Sequence, residues 1–393
     1  MKVASARARL WNLSLITDDR NVRARHLRYQ AMEEVIDPSA VNTLRLADGA
    51  QMPAAAFGTF HSDWAQAKIK QATVEAIRLG WRHIDTARAY ENEALIGEAI
   101  IEAIRKGYIG SANDLFITGK LWNGDMRPAE IAPAAERTLQ ALGVDKIDMY
   151  LNHWPWPNVH APGAHGEERN LHAVPYIHEQ FLEVWDEILK LRGAGKVIGI
   201  GTSNHTRGQM EMLLRDVADN ERPLVNQMEM HPLFQQTELR RFYESENIVC
   251  TGYMAVGSPY RPARDTFKEH RSDLDAPEIC EIARELSVSP GRVCLNWASQ
   301  RESQSGGYVV MSTKSEHALD NLRAATEDIL SDHHLLTISG DGSDAHPGIE
   351  ANNRLIRGQV FLWPEANADW RVLWDDSQLF ETRDDYAAFQ AAR

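Results

Sequence analysis

At 393 residues and 43% hydrophobic, the chain is long and apolar enough for one large α/β domain or two medium ones around a sizeable core. A net charge of -14 and a pI near 5.5 argue against nucleic acid or an anionic membrane as the main partner, because both select a basic face. Cys250, Cys280 and Cys294 form neither a disulfide framework nor a metal-ligand spacing, and no run approaches the roughly 20 apolar residues of a membrane span.

Residues 1–28 carry seven basic and two acidic side chains, and "LWNLSLI" is too short and polar for a secretory core. Residues 1–41 are read as an N-terminal extension, flexible or left by an over-long gene start, with organelle targeting as the alternative to a cytoplasmic location. From residue 55, short β-rich runs alternate with segments of helical period, the pattern of a parallel sheet built from βα units. The runs are 55–60, 81–85, 115–120, 146–154, 197–203, 224–230, 248–254 and 308–313, eight in all. Between the second and third, Leu95, Ile96, Ala99, Ile100 and Ala103 fall on one stripe, with Gly107 as a stop. Residues 128–142 read as helix up to Gly143. After the eighth run, Thr313 and Glu316 have the spacing of a capping box, with Leu319, Leu322 and Ile329 continuing a stripe.

Eight strands, each followed by a helix, predict an α/β fold, a (β/α)8 TIM barrel, which takes about 250 residues. Residues 42–330 accommodate it as the catalytic domain, leaving 331–393 as an atypical tail expected to pack on the barrel and its substrate pocket. Two connections, after the fourth and seventh strands, exceed ordinary length and read as functional loops.

In such barrels the C-terminal strand ends carry the chemistry. Asp85 ends the second strand, Tyr90 follows five residues on, Lys120 ends the third and His153 stands near the end of the fourth. A phenol of ordinary pKa about 10 donates a proton near neutrality only if its phenolate is stabilised. Lys120 is the cation for that, Asp85 holds the ammonium, and His153 orients a carbonyl oxygen. The hydride must come from a cofactor, since no side chain supplies one. Taken singly, each residue also suits a plain salt bridge or a rim contact.

These residues sit in stretches that resemble the aldo-keto reductase family: "HIDTARAYENE", "LQALGVDKIDMYLNHWP", "GIGTSNH", "VNQMEMHPLFQQ" and "GSPYRP", spread over about residues 42–330. The resemblance implies a metal-free oxidoreductase that takes NADPH, less often NADH, and a small carbonyl substrate, and works as a monomer or homodimer. It makes Tyr90 the general acid, Lys120 and Asp85 its tuning partners, and His153 the carbonyl orienter. It implies that Ser203, Asn204 and Gln227 hold the nicotinamide carboxamide and that Tyr253 stacks on the ring. Thr59, Ser258, Arg261, Lys314, Ser315, His317 and Asn321 complete the implied cofactor surface, and Phe60, Trp122 and Trp154 the substrate pocket. The chain departs from the pattern at Met254 and Ala255, where Ser-Pro is usual, at His317 in place of a common arginine, at Phe60 in place of a tryptophan, and beyond residue 330.

Other readings are weaker. No G-x-G-x-x-G follows a strand, which disfavours a doubly wound reductase. A nicotinamide-binding sensor with vestigial catalysis is kept open by the two extensions, and a hydrolase would need paired carboxylates where the rim offers Asp, Tyr, Lys and His. His160, His165, His172 and His178 lack paired Cys or carboxylate ligands at a metal-binding spacing. Trp363, Trp370 and Trp374 in the tail are expected to pack on the barrel.

Overall fold

A computed structural model describes residues 34–60, 66–157, 173–257, 272–300, 306–351, 354–355, 366 and 369–392. The strands in chain order are β1 (Thr43–Arg45), β2 (Gln51–Pro53), β3 (Ala55–Gly58), β4 (His83–Asp85), β5 (Phe116–Leu121), β6 (Ile147–Asn152), β7 (Tyr176–Ile177), β8 (Val197–Ser203), β9 (Val225–Glu229), β10 (Val249–Tyr253), β11 (Gly307–Val310) and β12 (Leu379–Phe380). Eight of them close a barrel in the order β10-β11-β3-β4-β5-β6-β8-β9, and every neighbouring pair is parallel. All eight expected runs are barrel strands, so the (β/α)8 fold stands.

The barrel strands are almost wholly buried, as parallel strands covered by helices must be. The helix Glu93–Arg105 buries Ile96, Ala99, Ile100 and Ala103 and leaves Leu95 partly covered, so the expected stripe faces the barrel. The helix Pro128–Leu142 has the expected bounds. The antiparallel hairpin β1–β2 was not anticipated: its Leu46 and Met52 pack in one cluster with Met149, Leu151, Leu224, Val225 and Val249, and Pro53 O meets the His83 ring at 2.9 Å.

Two details of the eighth unit differ from expectation. Ser312 Oγ accepts the Lys314 N–H at 3.2 Å and donates to Lys314 O at 3.0 Å, so the helix Ser315–Arg323 starts from Lys314 and the Thr313–Glu316 box does not form. Arg292 and Asn296 from the helix Pro290–Gln300 take up the carbonyls of Arg323 and Ala324 at 3.1 and 3.3 Å. The helix therefore ends there, and Ile329 lies beyond it.

The tail engages the barrel at several points. Leu355 N donates to Glu229 Oε1 at 2.5 Å, Trp374 packs edge-on against Trp154 and Trp156, Asp376 meets the helix Arg207–Asp216, and β12 pairs in parallel with β7. Arg215 forks onto Glu381 with two bonds of 2.9 Å beside that pairing. Among the described residues no helix is long and apolar enough to cross a membrane.

Candidate active site

Asp85 is the last residue of β4, in register with Gly58 of β3 and Thr118 of β5. The chain then leaves the sheet: Arg88–Tyr90 form a 3-10 turn, Glu91 takes the left-handed conformation, and Asn92 precedes the helix Glu93–Arg105. That turn brings the Tyr90 hydroxyl back over the barrel mouth, where Lys120 Nζ on β5 lies 3.0 Å away. The Lys120 ammonium also pairs with Asp85 Oδ1, and both side chains are buried. Gln227 Nε2, from β9 across the barrel, donates to Asp85 Oδ2 at 2.7 Å. The Asp85 carboxylate thus has a cation on one oxygen and an amide on the other, which satisfies a buried charge.

His153 stands one residue beyond β6, its backbone N–H bonded to Leu121 O at 3.1 Å. Its ring lies edge-on to Tyr90 with centroids 5.7 Å apart, and Phe60 approaches Tyr90 in the same manner at 5.2 Å. Trp122 and Trp154 flank His153 at 6.0 and 6.1 Å. The four proton-handling residues and the three aromatic residues expected at the pocket therefore meet at one rim.

The electrostatics set the protonation states. Burial pulls the Lys120 ammonium down, but Asp85 and Tyr90 outweigh it and hold its pKa above the usual value. Burial pushes the Tyr90 phenol up, with Lys120 working against it, so the net shift is upward although the lysine influence is in the expected direction. Burial, with Lys120 adding to it, drives His153 well below its ordinary range, so the imidazole is neutral. Its Nδ1 is buried without a hydrogen-bond partner among the described residues.

The residues implied for the carboxamide form one network beside this group. Ser203 Oγ donates to Gln227 O at 2.8 Å, and Asn204 Nδ2 donates to His153 O and Ser203 Oγ at 3.0 and 3.1 Å. Asn204 takes a left-handed φ of 62°, and its Oδ1 accepts from the Tyr253 hydroxyl at 2.7 Å. Both Asn204 amide hydrogens and the Ser203 hydroxyl hydrogen are engaged within this network, so the groups left to meet a carboxamide are the Gln227 side-chain oxygen and second amide hydrogen and the further lone pair of Asn204 Oδ1. Thr59 is buried, its hydroxyl donating to Asp85 O at 3.0 Å.

The remaining implied cofactor residues are farther round the rim. Lys314 and His317 are exposed and Ser315 half-buried at the start of the helix Ser315–Arg323, and Asn321 O accepts from Tyr308 at 2.5 Å. Ser258 and Arg261 lie outside the described residues, as do His160, His165, His172 and Trp363. Among the described residues no group of His, Cys, Asp and Glu is arranged to hold a metal. His178 is instead bonded to Tyr176 and Asp216 at 3.0 and 2.7 Å.

A buried charged cluster went unforeseen. His231 lies between Asp273 at 2.9 Å and Glu229 at 3.3 Å, all three inaccessible. Burial opposes its protonation, but the two carboxylates outweigh it and push the imidazole up to about 9. A Cβ on Gly257 would come within 2.1 Å of Asp273 Oδ2, and its φ of +67° also favours glycine. From the tail, Arg354 lies 3.8 Å over the Trp374 ring and 4.6 Å over Phe234. Glu229 and His231 were visible within "VNQMEMHP", whereas Asp273, Arg354 and Trp156 carried no local signal.

Known proteins similar to this chain all point to one family. The model of the aldo/keto reductase family matches residues 54–338. An aldo/keto reductase of Synechocystis sp. is 34% identical over 84% of this chain and 95% of its own length. Human aldo-keto reductase family 1 member C1 is 33% identical, covering 70% of this chain and 83% of its own. Deoxymugineic acid synthase 1-A of Triticum aestivum is 32% identical, covering 72% and 86%.

Proposed function

The chain belongs to the aldo-keto reductase family, whose chemistry is nicotinamide-dependent carbonyl reduction, and from that membership we propose that it reversibly reduces an aldehyde or ketone with Tyr90 as the proton donor. The observation that carries this reading is the chain of buried Asp85, buried Lys120 and half-buried Tyr90, with the His153 ring against the phenol. NADPH is the proposed cofactor, with NADH as the alternative. Residues 42–330 are taken as the catalytic unit and 331–393 as a tail packed on it.

A proton donor must keep its proton until the reaction needs it and then release it. Burial of the Tyr90 phenol meets the first requirement by raising its pKa. Lys120 meets the second, because the phenolate charge develops 3.0 Å from an ammonium that Asp85 holds charged and in place. The neutral imidazole of His153 can donate a hydrogen bond to the carbonyl oxygen, fixing its direction and polarising it without competing as an acid. Ser203, Asn204 and Gln227 would hold the carboxamide, and the nicotinamide ring, when bound, supplies the hydride. Phe60, Trp122 and Trp154 form an apolar wall that favours a water-poor pocket, in which each of these charges acts more strongly.

The test is Tyr90→Phe. Carbonyl-dependent oxidation of the reduced dinucleotide should fall by about 10³ or more, given what general acids contribute, with dinucleotide affinity nearly unchanged. Turnover close to wild type would overturn Tyr90 as the donor.

A further inference from the structure

Asp376 belongs to the tail yet reaches the segment that carries Ser203 and Asn204. One carboxylate oxygen pairs with the Thr206 hydroxyl, and the other accepts the Gly208 N–H at 3.0 Å. Thr206 is the N-cap of the helix Arg207–Asp216 and serves Gln209 N itself, so Asp376 satisfies a second of the N–H groups that a helix start leaves without partners. It does so from 168 residues away in sequence. The approach is close: a Cβ on Gly208 would lie 2.8 Å from the Asp376 carboxyl carbon and 2.8 Å from Leu379 Cδ1. Asp376 holds a left-handed φ of 57°, a conformation uncommon outside glycine and one that clusters where structure over-determines it.

The linkage continues into the site. Two residues before Thr206, Asn204 is itself left-handed and bonds the His153 carbonyl, the Ser203 hydroxyl and the Tyr253 hydroxyl. The turn from Ser203 to Thr206 is thus fixed at one end by β9 and at the other by the tail carboxylate. Trp374, two residues before Asp376, packs against Trp154 at 6.1 Å.

We propose that Asp376 is a positioning residue for the dinucleotide: by clamping Thr206 and Gly208 it holds Ser203 and Asn204 in the arrangement that receives the carboxamide. This rests on the reductase reading given above. The tail thereby supports the cofactor site through Asp376 while Trp374 packs behind Trp154.

The experiment titrates NADPH, and NADH in parallel, into the full-length protein by equilibrium fluorescence, and records thermal midpoint and carbonyl KM beside it. Asp376→Ala removes a cap and should raise the dinucleotide Kd about five- to tenfold, while Asp376→Asn, which keeps an oxygen for Gly208, should fall between it and wild type. Glu381→Ala loosens tail docking at Arg215 without touching the clamp, so it should lower the midpoint and leave Kd within about twofold of wild type. An unchanged Kd in Asp376→Ala, or a rise in Glu381→Ala as large as in Asp376→Ala, overturns the proposal. If Asp376→Ala does not fold, an unchanged Kd in Asp376→Asn overturns it equally. A wild type that binds neither dinucleotide defeats the reductase reading itself, a distinct result.

Discussion

Replacing Lys120 by methionine isolates the step on which the mechanism depends. The ammonium stands 3.0 Å from the Tyr90 oxygen, and a unit charge at that distance in surroundings of effective dielectric about 20 is worth about 5 kcal/mol, or about four pKa units at most. Without it, a phenol already raised by burial is raised further, and the Asp85 carboxylate beside it adds to the rise. The turnover number should fall about 10³-fold, with carbonyl KM altered far less, because the lost interaction grows as the phenolate forms. Leaving Asp85 buried and unpaired costs roughly 3 to 5 kcal/mol of stability, so Lys120→Met is best measured beside the double variant with Asp85→Asn. The double variant should recover the fold and not the rate. The assay is stopped-flow and steady-state oxidation of the reduced dinucleotide across pH, with circular dichroism as the folding control. A folded Lys120→Met enzyme within about threefold of wild type at every pH would refute the reasoning.

Two other outcomes follow from the same structure. His231 has its folded pKa raised from 6.5 to about 9, so its contribution to stability is complete below pH 6.5 and is lost as pH rises through about 9, an effect of up to about 3 kcal/mol. His83 is lowered by burial to about 4, so its contribution is present above pH 6.5 and is lost as pH falls towards 4. Urea unfolding followed from pH 4 to 9 should therefore peak near pH 6.5, and a curve that stays flat on its alkaline side would count against the charged cluster. Trp374→Ala removes the edge-on contacts with Trp154 and Trp156, so it should raise KM for aromatic carbonyls several-fold with little change in turnover number. An unaltered KM across a panel of aromatic and aliphatic aldehydes would assign Trp374 to packing alone.

The barrel was legible because its two periodicities are strong and local. "VIGIGTS" and "VNQME" are short β-rich runs bounded by turn residues, and both are buried strands with nearly the expected limits. What misled was a choice between neighbouring hydroxyls: Thr313 has the spacing of a capping residue, but Ser312 takes the hydrogen bonds and moves the helix start to Lys314. The β1–β2 hairpin was missed because three-residue strands leave too short an alternation to detect.

The site divides along the same line. Asp85, Tyr90, Lys120 and His153 could be placed from sequence because strand ends converge in a closed barrel whatever the loops do, and the structure brings the four together. Asp376, Arg354 and Asp273 could not, because each acts on a partner far away in sequence: Asp376 on Gly208, Arg354 on Trp374 and Phe234, Asp273 on His231. None lies in a periodic segment, and a lone charge outside such a segment reads as a solvated residue. Asp273 is buried, and Arg354 and Asp376 are half-buried against their partners. The tail meets a helix start through Asp376 and packs on Trp154 and Trp156 through Trp374, so it has two constraints to satisfy at once. On the clamp proposed for Asp376, the tail is tied to the geometry of Ser203 and Asn204, so substrate specificity and dinucleotide affinity should change together when tails are exchanged between relatives.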